Sequence, residues 1–389
     1  MSKLWITLPA YAGDYSGVCS AMYELGGLAV IHDASGCTGN YTGYDEPRWY
    51  DAPARTFCSG LREIDAVLGN DDKLVDRVVA ACEELRPTMI AVIGSPVPMV
   101  IGTDFKGIAA ELENRTGLPC FGFPTNGIVR YGAGVGAAQT ALIKRFAKDA
   151  GRKVPRGVNI LGMTPLDFAN NGNAAELAAF LEGHGLKVNG RLMMGVSLEQ
   201  IERLGEAALN LAVTQSGMDA AELLRRRYGT PWVAALPLCG GETALELIER
   251  TLADGECRAQ NAPSRDGGVL IVGEQVCAAA LRAEFLARSP GLPVTVGTML
   301  GLDRRLASPG DLDVADETAL RELIESGRFR TIVGDPLFAG LIPPDGGVEL
   351  VELPHPALSS KLYWDHAPHW LGAEMDRLVE AVLSKSKGA

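Results

Sequence analysis

Short apolar runs alternate with amphipathic helical patterns along most of the chain. MIAVIG (89–94) predicts a strand, preceded by a helix over 71–85 and followed by a helix over 104–117 that Gly117 stops. LPCFGF (118–123) predicts the next strand, and 134–148 the next helix. A second series opens at VNILGM (158–163). It predicts helices over 173–183, 197–204, 217–228 and 241–253, and strands over 186–193, 208–213 and 231–236. GVLIVG (268–273) opens a third, with helices over 276–287 and 316–326 and strands at PVTVGT (293–298), RTIVGD (330–335) and VELVEL (348–353). An amphipathic helix over 370–385 ends the chain.

Strand-helix alternation of this kind implies parallel sheets covered on both faces. The expected fold is therefore α/β, with three doubly wound, Rossmann-like parallel-sheet domains around a central cleft. NAPSRDGG (261–268), rich in turn-forming residues, reads as a linker. The boundaries expected are 1–155, 156–262 and 263–389, the last unit carrying the terminal helix. Ligands of such sheets gather outside the carboxyl ends of the strands. Those ends carry GSP (94–96), FPTNG (123–127), GMTP (162–165), LPLCGG (236–241), VGEQ (272–275) and GDP (334–336). Each also reads as an ordinary turn.

Composition narrows the function. With 36 Lys and Arg against 48 Asp and Glu, the net charge of −12 argues against a nucleic-acid partner. The 46 glycines suit a fold with many strand-to-helix turns. No run of 18 apolar residues occurs, so no membrane span is expected. Residues 1–17 hold no signal-like apolar stretch, which implies a cytoplasmic chain without a disulfide framework. P-loop, G-x-S-x-G, H-E-x-x-H and C-x-x-C motifs are absent. Gly132-Ala-Gly134-Val-Gly136-Ala137 follows no suitable strand and reads as a site of close helix packing.

The eight cysteines divide. Cys82 falls on the apolar face of the 71–85 helix, and Cys120 and Cys277 read as small buried residues. Cys19, Cys37 and Cys58 instead crowd the first fifth of the chain among glycines and short polar residues. Loops of that kind can carry thiolates to iron–sulfur clusters, although on the local residues alone free thiols or packing explain such cysteines better. His32-Asp33-Ala34-Ser35-Gly36-Cys37 follows the strand-like LAVI, which sets Cys37 on a Gly-flanked turn at a strand's carboxyl end. His184 reads as a helix end, His366 and His369 flank Pro368, and His355 sits between two prolines after a strand.

HDASGC (32–37) resembles the His-x-x-x-Gly-Cys turn of the nitrogenase component 1 family, which includes cofactor-assembly scaffolds and dark-operative protochlorophyllide reductase subunits. REIDAVLGNDDKL (62–74), GSPVPMVIGTDFKGI (94–108), FPTNGIVRYGAGVGAA (123–138), the stretch from Val158 to Val188 and LNLAVTQSGMDAAELLRRRYGTPW (209–232) resemble further family segments in order. The resemblance implies that Cys37 ligates a bridging [4Fe–4S] cluster. Two family cysteines have no counterpart: the first position falls in PAYAGDYSG (9–17), and the third falls at Pro96, beside Ser95, in the implied cofactor-binding loop. Val213 stands near the cysteine that holds the iron–molybdenum cofactor, so dinitrogen reduction with that cofactor is not expected. His355 is the best counterpart of the cofactor histidine and a candidate proton donor.

AYAGDYSG is similar to the start of the second protochlorophyllide reductase subunit, in which one residue joins three cysteines of the partner chain. Cys37 plus three partner cysteines would complete four ligands; in a homodimer, Cys37 with Cys58 or Cys19 from each chain would do so. The resemblance therefore implies a catalytic-component subunit of an ATP-dependent reductase. Its expected partners are a separate ATP-hydrolysing iron protein, a second component 1-like chain or another copy of itself, and a small-molecule substrate. The rival readings are a scaffold or carrier that holds a cofactor without turnover, and a cluster-poor structural subunit.

Overall fold

The computed structural model describes residues 5–387 apart from 51, 53, 70, 150, 169, 345 and 346. The outermost residues of the expected first and last domains thus lie outside the described residues. Three sheets form, each with every strand pair parallel. The first has β1 (Leu28–Ile31), β2 (Thr56–Cys58), β3 (Ile90–Ile93) and β4 (Cys120–Phe123), in the order β2-β1-β3-β4. The second has β5 (Gly157–Leu161), β6 (Lys187–Arg191), β7 (Leu209–Ala212), β8 (Trp232–Ala234) and β9 (Arg258–Ala259), in the order β6-β5-β7-β8-β9. The third has β10 (Gly268–Val272), β11 (Val294–Thr298), β12 (Leu312–Asp313), β13 (Phe329–Gly334) and β14 (Glu349–Glu352), in the order β12-β11-β10-β13-β14. The α/β class and the three doubly wound sheets are as the alternation predicts.

The central strands are apolar because both their faces are covered. In the first sheet, Leu28, Val30, Ile90 and Val92 point one way, into a cluster with Val75, Val78 and Cys82. Ala29, Ile31, Ala91 and Ile93 point the other way, into the main core. The helices of this domain are α1 (Asp14–Met22), α2 (Gly36–Asn40), α3 (Glu63–Leu68), α4 (Asp71–Leu85), α5 (Pro96–Val100), α6 (Phe105–Thr116) and α7 (Tyr131–Phe146). A short helix, α8 (Pro165–Phe168), follows β5.

Several elements escaped the pattern, most of them short; α1 and β2 matter most to the site. Every residue of α1 is buried, so the helix has no polar face to mark its period. The edge strand β2 is only three residues long. The crossing of α1 and α7 is unusually close. A Cβ at Gly134 would fall 1.9 Å from the Asp14 carbonyl oxygen, and one at Gly17 would fall 2.1 Å from the Tyr131 carbonyl oxygen. The Gly132–Ala137 motif is therefore a packing device, as expected. Among the described residues, no helix is long and apolar enough to cross a membrane.

Each sheet reverses its direction of growth once: between β1 and β3, between β5 and β7, and between β10 and β13. The strand ends at such switch points diverge and leave a crevice. All three crevices are chemically furnished.

Candidate functional site

The β1 crevice holds the Cys37 turn. Ser35 adopts φ +155°, a strained value for a residue with a side chain. The buried Asp33 holds it there. Its Oδ2 accepts from the backbone N–H groups of Ser35 (3.0 Å), Cys37 (2.8 Å) and Thr38 (3.3 Å). HDASGC is thus a turn that runs directly into α2, with one carboxylate saturating the first amides of the helix.

Cys37 is half-buried. Burial raises its thiol pKa most, the Asp33 and Cys58 charges add to this, and a hydrogen bond from the Tyr15 hydroxyl opposes it. Cys58, expected in a loop, is instead the last residue of β2. It pairs with Ile31 at the end of β1, because the apolar edge strand continues the sheet to that point. Its sulfur lies 3.2 Å from the Asp33 carbonyl oxygen and 3.3 Å from the Gly60 amide nitrogen. One Asp33 therefore organises both thiols. Cys19 does not join them. It is 1% exposed inside α1, and burial pushes its thiol pKa well up. As placed, this candidate ligand is sealed inside the helix, away from the turn.

Ser95, the other candidate of the expected cofactor-binding loop, lies beneath the turn. It is fully buried, and its hydroxyl donates to the His32 carbonyl at 2.8 Å, so it braces the turn from beneath. Pro96, exposed, opens α5 and has no side-chain atom able to ligate a metal. Around this sheet end, Phe57, Ile64, Val67, Leu68, Val97 and Val100 stand exposed, the last at 87%. Among the described residues, no three His, Cys, Asp or Glu side chains are arranged to hold a metal ion.

The crevices of the second and third sheets face a common cavity of about 710 Å³. Asp167 from α8, Gln215 after β7 and Glu274 after β10 line it, with Tyr131 at the start of α7 and Trp5 and Tyr11 from the N-terminal segment. Tyr131 donates a short hydrogen bond to Asp167 Oδ1. The His355 Nε2 atom lies 3.1 Å from both that oxygen and the Tyr131 hydroxyl. His355 is fixed in turn by its own amide, which donates to Asp335 Oδ2 at 2.8 Å. His355 is not among the lining residues; Asp167 and Tyr131 are, so any influence it has on the cavity passes through them. Burial, then the Asp167 charge, pushes the Tyr131 hydroxyl pKa well up.

Glu274 accepts from the amides of Gln215 (2.6 Å) and Cys277 (2.9 Å). Burial first, and Asp167 second, push its pKa up to about 7. Of the polar strand ends singled out in the sequence, VGEQ and FPTNG supply lining residues, Glu274 and Gly127. GSP, LPLCGG and GDP supply none. Asp167 lies two residues past GMTP, within reach of the strand-end rule, whereas Tyr131 carries no signal because a tyrosine opening a helix reads as core. Cys120 and Cys277 are half-buried and Cys82 is buried.

A family model described as Nitrogenase component 1 type Oxidoreductase matches residues 15–252. The nitrogenase molybdenum-iron protein alpha chain of Clostridium pasteurianum is 27% identical over 237 residues, covering 58% of this chain and 43% of that protein. One subunit of the light-independent protochlorophyllide reductase of Nostoc punctiforme is 25% identical over 189 residues, covering 45% of this chain and 37% of that protein. The matched stretch spans less than half the length of either relative. A solved structure of nitrogenase Cp1 at pH 6.5 shares the fold, with TM-score 0.74 over 100% of this chain and 94% of that chain at 14% identity.

Proposed function

Because the chain belongs to the nitrogenase component 1 type oxidoreductase family, we propose that it is a catalytic-component subunit of an ATP-dependent reductase. In this reading Cys37 ligates a [4Fe–4S] cluster shared with a second component 1-like chain or a second copy. A separate ATP-hydrolysing iron protein delivers the electrons, and the substrate occupies the cavity beside Asp167. The carrying observation is the Cys37 turn itself: a half-buried thiol on a strained turn locked by Asp33, within a rim of exposed apolar side chains.

The donor set fits such a cluster. Cubane clusters take four thiolates. Cys37 and Cys58 lie on one sheet end, so two chains supply four, or Cys37 supplements three from a different partner. When bound, the cluster supplies one-electron storage and relay. The chain's own residues do the rest. Asp33 fixes the Cys37 amide, and Tyr15 donates to the Cys37 sulfur, which favours the thiolate that ligation needs. The apolar rim excludes water from the shared interface. In the cavity, Tyr131 holds its proton against Asp167, and His355 stands at hydrogen-bond distance from both. A reduced substrate needs protons as well as electrons, and this trio is placed to supply one at Asp167 or Tyr131. Among the described residues, neither Cys nor His lines the cavity, which favours a substrate site over a site that stores a metal cofactor.

The test is anaerobic reconstitution with ferrous iron and sulfide, alone and with a second component 1-like chain. Iron content and EPR are then compared for wild type, Cys37→Ser and Cys82→Ser. The expected outcome is iron in wild type and Cys82→Ser and its loss in Cys37→Ser. Full iron in Cys37→Ser would remove Cys37 from the ligand set and the reading with it.

A further inference from the structure

Two guanidinium groups line the cavity beside Asp167, and they are unequally used. Arg305 is held by Asp303 at 2.5 Å and by Asp219 at 2.9 Å. Arg130 has no carboxylate within ion-pair distance among the described residues. Its Nη2 atom reaches the Ala315 carbonyl only at 3.5 Å, and its guanidinium stands 6.0 Å from the Tyr11 ring centre. Both distances lie at the outer edge of such contacts, so they place the group without saturating its donors. Arginine carries five N–H donors in a planar fork. Ala315 and Tyr11 both line the cavity, which sets that fork on its wall.

The carboxyl groups of the same lining are already engaged. Asp219 and Asp303 hold Arg305. The Asp167 side chain is 3% exposed, with Oδ1 taken by Tyr131 and His355 and Oδ2 sealed from solvent. Glu274 is buried and accepts from two backbone amides. The charge that remains open to an occupant is therefore positive and sits at Arg130. The helix that follows adds to it. Arg130 is the N-cap residue of α7, and Gly132 and Ala133 in the first turn also line the cavity, so the positive end of the helix faces it. Beside the fork the walls are aromatic: Trp5 and Tyr11 meet edge to face at 6.1 Å, and both line the cavity. Tyr131, the next residue along, turns inward to Asp167, so one helix start serves both ends of the cavity.

We infer that this cavity binds a compact, planar carboxylate, whose oxygens accept from the Arg130 fork while its body packs on Trp5 and Tyr11. A guanidinium fork matches a carboxylate with two parallel hydrogen bonds. The inference names the substrate class of the cavity and rests on the reading that substrate binds there. It also orients the substrate: the acid group lies at Arg130, and the opposite end points towards Tyr131 and Asp167, where a proton is supplied. Binding needs no cluster and no electron donor, so failure of the inference is distinguishable from failure of the iron test.

The probes are benzoate, the neutral isostere benzamide and the cation benzamidine, titrated into the full chain by calorimetry and followed by saturation-transfer NMR. Benzoate is expected to bind about tenfold more tightly than either analogue. Arg130→Gln is expected to erase that preference. Arg130→Lys is expected to keep part of it, because the charge stays and the fork is lost. Trp5→Leu is expected to weaken benzoate several-fold. Charge selectivity in the wild-type chain needs no variant, so a poorly folding Arg130→Gln leaves the inference open to refutation. Equal binding of the three probes, no benzoate binding at millimolar concentration, or an unchanged preference in a folded Arg130→Gln overturns it.

Discussion

The Cys37 turn and the Asp167 cavity are built by the same backbone rule, at switch points of parallel sheets, and yet they are finished differently. The turn is open. Its two thiols sit at a sheet end among exposed Val67, Leu68 and Val100, two short of the four thiolates that the proposed cluster takes. The cavity is walled by the one chain, with walls drawn from all three sheets' surroundings and from the N-terminal segment. Thiols tolerate partial exposure, and a second chain can cover them. Two buried carboxyls close together do not tolerate loose surroundings, because each needs several fixed donors to remain in the interior. The chemistry of the groups thus decides which site one polypeptide completes.

The contrast breaks most completely at the one place where the sites share a support. α1 carries Asp14, whose carboxylate accepts from the Asn126 and Gly127 amides, and Tyr15, which reaches Cys37; α7 begins with Tyr131. Gly134→Ala must push the two helices apart. The expected cost is roughly 3 kcal/mol in urea unfolding, with iron retention and the pH response of Glu274 both altered. An unchanged midpoint would mean that the crossing is not the common support.

Asp33→Ala separates the sites. Three amides lose their acceptor and Ser35 loses the contact that holds its strained φ, for about 2 kcal/mol. Iron retention is expected to fall while the pH dependence of stability set by Glu274 stays as in wild type. Loss of both would show that the turn and the cavity are coupled.

Glu274 marks the cavity by its pH response. Its folded pKa, about 7, lies above the ordinary glutamate value, so the folded state holds a proton that the unfolded state has released. Its contribution to stability is full below the unfolded value and is lost as pH rises towards about 7. Melting temperatures of wild type are expected to decline over that window relative to Glu274→Gln, which carries no such proton. Parallel profiles would overturn the assignment.

The smallest effect on stability belongs to the open rim. Leu68, 69% exposed, is expected to change unfolding by less than about 0.5 kcal/mol when replaced by Ser. Sedimentation or light scattering is expected to show weakened self-association or weakened capture of a second component 1-like chain. Unaltered association would leave the rim without its proposed role.

Legibility in the sequence follows exposure and period. Strands such as Ile90–Ile93 and helices such as Asp71–Leu85 are readable because a covered strand is uniformly apolar and a half-covered helix is striped. α1 is not, since complete burial erases the stripe. Cys37 is readable from the residues around it. Cys19 looks like its neighbour in composition, and only packing distinguishes a sealed thiol from an accessible one. His355 is legible as a histidine in a rigid loop, but Asp167 and Tyr131, which stand between it and the cavity, come from positions 188 and 224 residues away.

By itself, then, the sequence determined the α/β class, the three strand-helix series and the thiol placed at the end of β1, because local periodicity and turn residues act over short stretches of chain. Tertiary structure alone decided which cysteines share a surface, that Ser95 braces the turn, and that carboxyls from α8 and the end of β10 meet in one cavity. Those outcomes depend on strand order and helix crossing, which bring distant residues together and set how much water each one keeps.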